Sequence, residues 1–278
     1  MINFNGNVTS EDNLLTNNRG LLYGDSVFET VKILDGKILF VEDHYFRLMA
    51  SMRIVRMEIP MNFTMEYFEE QIMSLAKADS LEKSSRARIT VFRNQGGFYL
   101  PKDNTVSFLI HISALENAVY QIEKENYEVE LYKDFFVTKH LLSTIKSSNR
   151  MINVTGSIFA DENGYDNCLL INDEKNVIEA LNGNLFMLMG NKLITPPIAE
   201  GCLNGVMRKQ VLALARKMES LEVVEEPISP FDLQKADELF VTNVIKGIQP
   251  ISKYRKKEYE AKVSKEILLR LNAQIRFN

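Results

Sequence analysis

The sequence predicts an α+β fold in two parts, and three observations carry that expectation. A β-hairpin pattern followed by two amphipathic helical stretches opens the chain. A polar, acidic stretch over 115–126 then interrupts the strand-like runs, and an amphipathic helix closes the sequence. At 278 residues the chain exceeds the usual size of one compact domain, which favours two modest domains or one large one. A composition 45% apolar and 25% charged matches folded globular proteins and excludes disordered and fibrous classes.

The hairpin spans 26–41: Ser26 to Ile33 alternates, Asp35-Gly36 supplies a turn tolerant of positive φ, and 38–41 returns. Tyr45, Leu48, Met49, Met52 and Val55 repeat at helical spacing, so a helix is expected from Glu42 to about residue 56. A second helix over 65–78 has Thr64 as its N-cap. Strands follow at 87–93 and 106–113. The first domain is therefore set at 1–114, the linker at 115–126 and the second domain at 127–278. In the second part strands are expected at 128–132, 167–172, 177–181, 185–189, 192–195 and 238–244. Helices are expected at 206–218 and 257–275, the latter with Val263, Ile267, Leu268, Leu271 and Ile275 on one face.

Charge narrows the classes of partner. A net charge of -4, with Lys and Arg scattered among acids, offers no basic stripe for nucleic acid. The first residues lack a basic and apolar leader and no apolar run reaches membrane-spanning length, so no membrane association and a cytoplasmic address are expected. Cys168 and Cys202 are too few for a disulfide framework, and Cys168 lies in an apolar run that suits a buried thiol. With only His44, His111 and His140 besides, no metal site is expected.

Short motifs occur in a definite order. Arg19-Gly20-Leu21-Leu22-Tyr23-Gly24-Asp25-Ser26-Val27-Phe28-Glu29-Thr30 comes first, followed by His44-Tyr45-Phe46-Arg47-Leu48 and Ile145-Lys146-Ser147-Ser148-Asn149-Arg150. Glu179-Ala180-Leu181-Asn182-Gly183-Asn184-Leu185-Phe186, Asn204-Gly205-Val206-Met207-Arg208 and Leu239-Phe240-Val241-Thr242-Asn243 complete the series. In this order the motifs resemble the class IV aminotransferase family over nearly the whole chain. That family holds branched-chain and D-amino-acid aminotransferases and 4-amino-4-deoxychorismate lyases.

The resemblance implies a two-domain fold-type IV enzyme, similar to D-amino-acid aminotransferase, that uses pyridoxal 5'-phosphate. It would have a small N-terminal α/β domain, a larger C-terminal cofactor-binding domain with a β-barrel-like core, and a homodimeric assembly. Lys146 matches the lysine that carries the cofactor as a Schiff base, a role that requires an amine able to lose its proton. Glu179 matches the carboxylate beside the pyridine nitrogen, which keeps the ring an effective electron sink.

For the phosphate, the resemblance points to backbone at Gly205, Val206 and Met207, where a helix start offers unpaired N–H groups. It adds Arg47, whose planar fork suits a bidentate contact. Thr242 and Asn243 lie in the segment that in many relatives ends on a phosphate-binding Thr; Val244 stands at that position here and offers no hydroxyl. Substrate contacts are expected of Arg93 and Tyr23. Each has a plain alternative, a strand-end surface charge for Arg93 and packing for Tyr23.

The implied activity is transfer of an amino group between an amino acid and a 2-oxo acid. A lyase releasing pyruvate and 4-aminobenzoate from aminodeoxychorismate is the alternative, and a non-catalytic cofactor-binding protein a third. Residues 204–208, Ile145-Lys146 with Asn149-Arg150, and Thr242-Asn243 resemble the lyases more, whereas Phe28-Glu29-Thr30 resembles the transaminases.

Overall fold

A computed structural model describes residues 1–9 and 17–277. The chain divides into two compact units, Met1–Ala118 with Ile145–Asn149, and Val119–Thr144 with Arg150–Asn278. The first crossing lies inside the 115–126 stretch. The return of residues 145–149 to the first unit departs from the contiguous division expected, and it moves Lys146 out of the second domain.

The first unit contains β1 (Ile2–Phe4), β2 (Asn7–Thr9), α1 (Arg19–Tyr23), β3 (Ser26–Leu34), β4 (Lys37–Ile38), α2 (Val41–Ile54), α3 (Met65–Ala78), β5 (Ser84–Arg93) and β6 (Val106–Ala114). Its sheet runs in the order β2-β1-β6-β5-β3-β4, with antiparallel pairing throughout. Alternation along β3 sends Val27, Val31 and Ile33 into a core with Leu48, Met49 and Met52 of α2 and Phe68, Ile72 and Leu75 of α3. Thr64 caps α3 as expected, its hydroxyl accepting from the Tyr67 N–H at 3.2 Å. The hairpin's returning strand is shorter than expected. Phe40 takes a left-handed conformation, φ 56°, and turns the chain straight into α2.

The second unit contains β7 (Glu128–Val137), α4 (Met151–Glu162), β8 (Asn167–Asn172), β9 (Val177–Ala180), β10 (Gly183–Met189), β11 (Lys192–Thr195), α5 (Val206–Ala215), β12 (Glu222–Glu225), α6 (Pro230–Leu233), β13 (Glu238–Asn243), β14 (Gly247–Ile251), β15 (Lys253–Tyr254), β16 (Lys257–Glu258) and α7 (Val263–Phe277). Its sheet is mixed, in the order β12-β11-β10-β9-β8-β7-β15-β16, and β10 also pairs with β13, which pairs with β14. Burial is nearly complete along β8, β9 and β13. Cys168 lies in that interior, where burial pushes its thiol up to about 11.

Of the elements here that differ from expectation, three have a clear physical reason. The helix α4 was not foreseen because it is apolar on two sides and shows no single stripe. Ile152 and Phe159 pack inward, while Met151, Val154 and Ile158 are exposed. Gly156 allows its close packing, since a Cβ there would meet Leu181 Cδ2 at 2.5 Å. The closing helix starts at Val263, not 257, because buried Glu238 accepts the N–H groups of Lys262, Val263 and Ser264 at 3.0, 2.8 and 2.8 Å. The strand β14 carries Pro250, a residue that argues against a strand when read locally.

Candidate active site

In the first unit, residues 145–149 lie antiparallel to the edge of β3, through a Val27–Ser147 bridge. The Phe28 N–H donates to the Lys146 carbonyl at 2.8 Å and the Ser148 N–H to the Ser26 carbonyl at 3.0 Å. A hydroxyl pair, Ser26 Oγ to Ser148 Oγ at 2.7 Å, adds a third tie. Cross-strand partners share a face, so Ser147 points with Val27 toward the helices and Lys146 projects on the other face with Phe28. Its Nζ stands 4.7 Å from the Phe28 ring centroid. The guanidinium of Arg88, which pairs with Thr30 on β5, stacks on the same ring at 3.7 Å.

On the helix face of β3 sits Glu29, completely buried. Arg47 of α2 grips it with two bonds of 2.6 Å, Nε to Oε1 and Nη2 to Oε2. His44 Nδ1 lies 2.8 Å from Oε2. Burial alone would raise the Glu29 pKa, but Arg47 and His44 overcome it and bring the group to about 2. Burial pulls His44 below its ordinary value against the opposing pull of Glu29. A neutral imidazole donating from Nδ1 to the carboxylate follows, and its buried Nε2 has no hydrogen-bond partner. Arg47, expected to contact phosphate, is thus aimed by a carboxylate that sequence reasoning quoted only as part of a motif.

The two expected substrate residues also belong to this unit. Arg93 is buried, not at the surface. Its Nε donates to Asp25 at 3.0 Å, Nη1 to the Arg56 carbonyl at 3.1 Å and to Asn104, and Nη2 to the Val55 carbonyl at 2.7 Å. All three guanidinium nitrogens bond within the first unit. The Tyr23 ring packs 5.8 Å from that of Tyr99, and the Arg19 guanidinium lies 4.9 Å from the Tyr23 ring. Arg88, which the sequence reading did not single out, alternates against Ala87 and Ile89 onto the Lys146 face, and its Nε donates to Thr90 Oγ1 at 3.3 Å.

The second unit carries the other half of the expected set. Glu179 lies buried on β9, and its Oε2 accepts the Leu203 N–H at 2.8 Å. The Leu203 carbonyl accepts from Asn184 Nδ2 at 2.8 Å, so one peptide is clamped between an acid and an amide. Two residues later Gly205 opens α5, and a Cβ on it would collide with Asn184 Oδ1. The backbone N–H groups of the first turn, at Val206 and Met207, are those that helix geometry leaves without intrahelical partners. Thr242 pairs across from Asn184, so both side chains leave the sheet on one face. Its buried Oγ1 has no hydrogen-bond partner. The Asn243 side chain is occupied in its own turn, accepting from the Ile245 and Lys246 N–H groups at 3.0 and 2.9 Å.

These residues fit pyridoxal phosphate. A buried carboxylate held by a backbone donor suits a protonated pyridine nitrogen. An orphaned hydroxyl beside an open helix start suits a phosphate, and an amine on a pinned strand suits an aldehyde.

Within each unit the donors suit a phosphorylated, ring-nitrogen cofactor. Residues 26–254 match the family model for amino-transferase class IV, and the chain belongs to that pyridoxal-phosphate-dependent family. A Methanocaldococcus jannaschii protein, whose name proposes a branched-chain-amino-acid aminotransferase, is 30% identical over 232 residues, 84% of this chain and 79% of that one. The aminodeoxychorismate lyase of Vibrio harveyi is 25% identical over 238 residues, 84% of each chain. The crystal structure of a Thermoproteus uzoniensis branched-chain aminotransferase with norvaline superposes at a TM-score of 0.85 and 19% identity, covering 97% of this chain and 92% of that one. No helix among the described residues is long and apolar enough to cross a membrane.

Proposed function

We propose that this enzyme transfers an amino group between an amino acid and a 2-oxo acid, with Lys146 as the cofactor-bearing and proton-moving residue. The observation that carries the proposal is the presentation of Lys146: its backbone is pinned to β3 while its amine stands over Phe28. Pyridoxal phosphate, when bound, supplies an electron sink for the pair left at the substrate Cα. Lys146 Nζ takes the Cα proton and returns it to carbon. Glu179, oriented by the Leu203 N–H, holds the proton at the ring nitrogen. The Val206 and Met207 amides, Thr242 Oγ1 and Arg47 are assigned to the phosphate, with Glu29 holding the Nε–Nη2 edge of Arg47 so that only the rest of the guanidinium serves it.

For substrate we assign Arg88 in place of Arg93, because it shares the Phe28 ring with Lys146. A carboxylate that pairs with Arg88 gains charge-assisted bonds, so Arg88→Ala is expected to lower kcat/KM for a dicarboxylic substrate by about 10- to 100-fold. Steady-state kinetics with 2-oxoglutarate against pyruvate measures this; equal losses for both would remove the assignment.

A panel of L- and D-amino acids with 2-oxoglutarate or pyruvate tests the activity itself. New amino acid formation is expected. Release of pyruvate and 4-aminobenzoate from aminodeoxychorismate, without transfer, would replace it by the lyase, and binding without turnover by a cofactor carrier. The exposed apolar side of α4, Met151, Val154 and Ile158, supports a homodimer. Sedimentation is expected to give a dimer that Ile158→Asp weakens.

A further inference from the structure

The segment 196–205 reaches the proposed chemistry twice without lending it a side chain, through the Leu203 N–H on Glu179 and through the start of α5 at Gly205. Backbone donors are only as well placed as the chain that carries them. This segment has little regular structure of its own, one 3-10 turn over Ile198–Glu200 followed by Gly201 in a left-handed conformation, φ 94°.

Arg208 Nη2 holds the segment's start at the Pro196 carbonyl, 2.9 Å, and Asn184 its Leu203 carbonyl, 2.8 Å; Glu200 ties its middle. Its buried carboxylate accepts from Asn172 Nδ2 and Asn176 Nδ2, each at 2.8 Å, and from Lys139 Nζ at 2.9 Å. Its backbone carbonyl accepts from Asn172 as well, at 3.1 Å. The Asn172 amide is itself fixed, because Oδ1 accepts the Glu174 and Asn176 N–H groups at 3.1 and 2.9 Å within the β8–β9 turn. Lys139 makes a second bond, to Glu174 at 2.8 Å. It stands on the stretch that leads from β7 to Lys146, and the Asn204 N–H meets the Thr144 carbonyl of that stretch at 3.3 Å. One carboxylate therefore joins the segment before α5, the β8–β9 turn and the approach to Lys146. A buried carboxylate with three donors holds geometry more strictly than a neutral contact.

We infer that Glu200 is a positioning residue for cofactor binding: it touches no cofactor and sets the Leu203 N–H on Glu179 and the first amides of α5 by locking residues 196–205. The inference rests on the proposed function and concerns residues outside the cofactor contacts.

The test compares the full-length wild type, Glu200→Gln, Lys139→Met and, as a matched structural control, Tyr259→Phe, which loses a 2.6 Å bond to the Leu233 carbonyl. Each is reconstituted with pyridoxal phosphate, and the dissociation constant and the pH midpoint of the bound-cofactor absorbance are measured beside Tm. Glu200→Gln is expected to weaken binding by about tenfold or more, the size that outer-shell partners carry at built sites, and to move the pH midpoint. Lys139→Met is expected to move both in the same direction by less, and Tyr259→Phe to lower Tm alone. Binding within twofold of wild type in a destabilised Glu200→Gln overturns the inference. Should that variant not fold, an unchanged constant in Lys139→Met overturns it. A wild type that binds no cofactor sinks the proposed function as well; a normal wild type with indifferent variants sinks only the positioning role.

Discussion

Replacing Lys146 by alanine is expected to abolish the long-wavelength absorbance of lysine-bound pyridoxal phosphate and to lower kcat by at least about 10⁴-fold, since attachment and proton transfer are lost together. The fold should survive. The strand pairing uses the Lys146 backbone, with its carbonyl accepting from the Phe28 N–H, and alanine keeps that bond. Alanine removes the amine that stands over the Phe28 ring and whose charge acts on His44. Lys32 donates to the Asn117 carbonyl at 3.3 Å and Lys139 pairs with Glu174 and Glu200, so neither is expected to take over the role of Lys146. An absorbance scan, single-turnover kinetics and a melt of the cofactor-free protein decide the matter. A variant that keeps the band, or an apoprotein that loses its melting transition, would show that Lys146 is structural.

How far the molecule was legible depends on the range of the forces involved. The strand β3, the helix α3 with its Thr64 cap, and β5 and β6 follow from contacts two to four residues apart, and the sequence displays such contacts as periodicity. The segment 145–149 pairs with a strand more than a hundred residues earlier, so no local pattern could assign it to the first unit. The start of α7 is fixed by Glu238, which lies on another strand. The site divides the same way. Motif order indicated Lys146, Glu179 and the α5 start, whereas the partnership of Glu29 with His44 and Arg47 needed the helix laid on the sheet. A trace of it was present. Glu29 occupies an inward position between Val27 and Val31, where a carboxylate demands buried partners, and His44 and Arg47 share one helix face three residues apart. The burial of Arg93 was not legible because it ends a strand, a position that is exposed in most folds and buried here by the Val55 and Arg56 carbonyls that it caps.

Glu29→Gln should carry the largest stability change of any single substitution in the first unit, a loss of about 3–5 kcal/mol, the cost of leaving a buried charge without its partner. The amide that replaces the carboxylate meets three donor contacts, two from Arg47 and one from His44, and turns an NH₂ toward at least one of them. Arg47 then holds a guanidinium with its charge uncompensated at the same place, and phosphate affinity should fall along with stability. The pH dependence separates this from simple misfit. Glu29 is depressed from 4.5 to about 2, so the folded state binds its proton less readily than the unfolded chain, and the stability it contributes is whole above 4.5 and lost as pH falls toward 2. The shift corresponds to about 3 kcal/mol. His44, also depressed, acts with the same sign from 6.5 downward, because the unfolded chain takes up that proton first. Urea unfolding of the wild type should therefore weaken gradually below 6.5 and steeply below 4.5, and Glu29→Gln should lack the steep limb. Parallel curves for the two proteins between 4.5 and 2 would mean that another carboxylate governs acid unfolding and that Glu29 is not the anchor of Arg47.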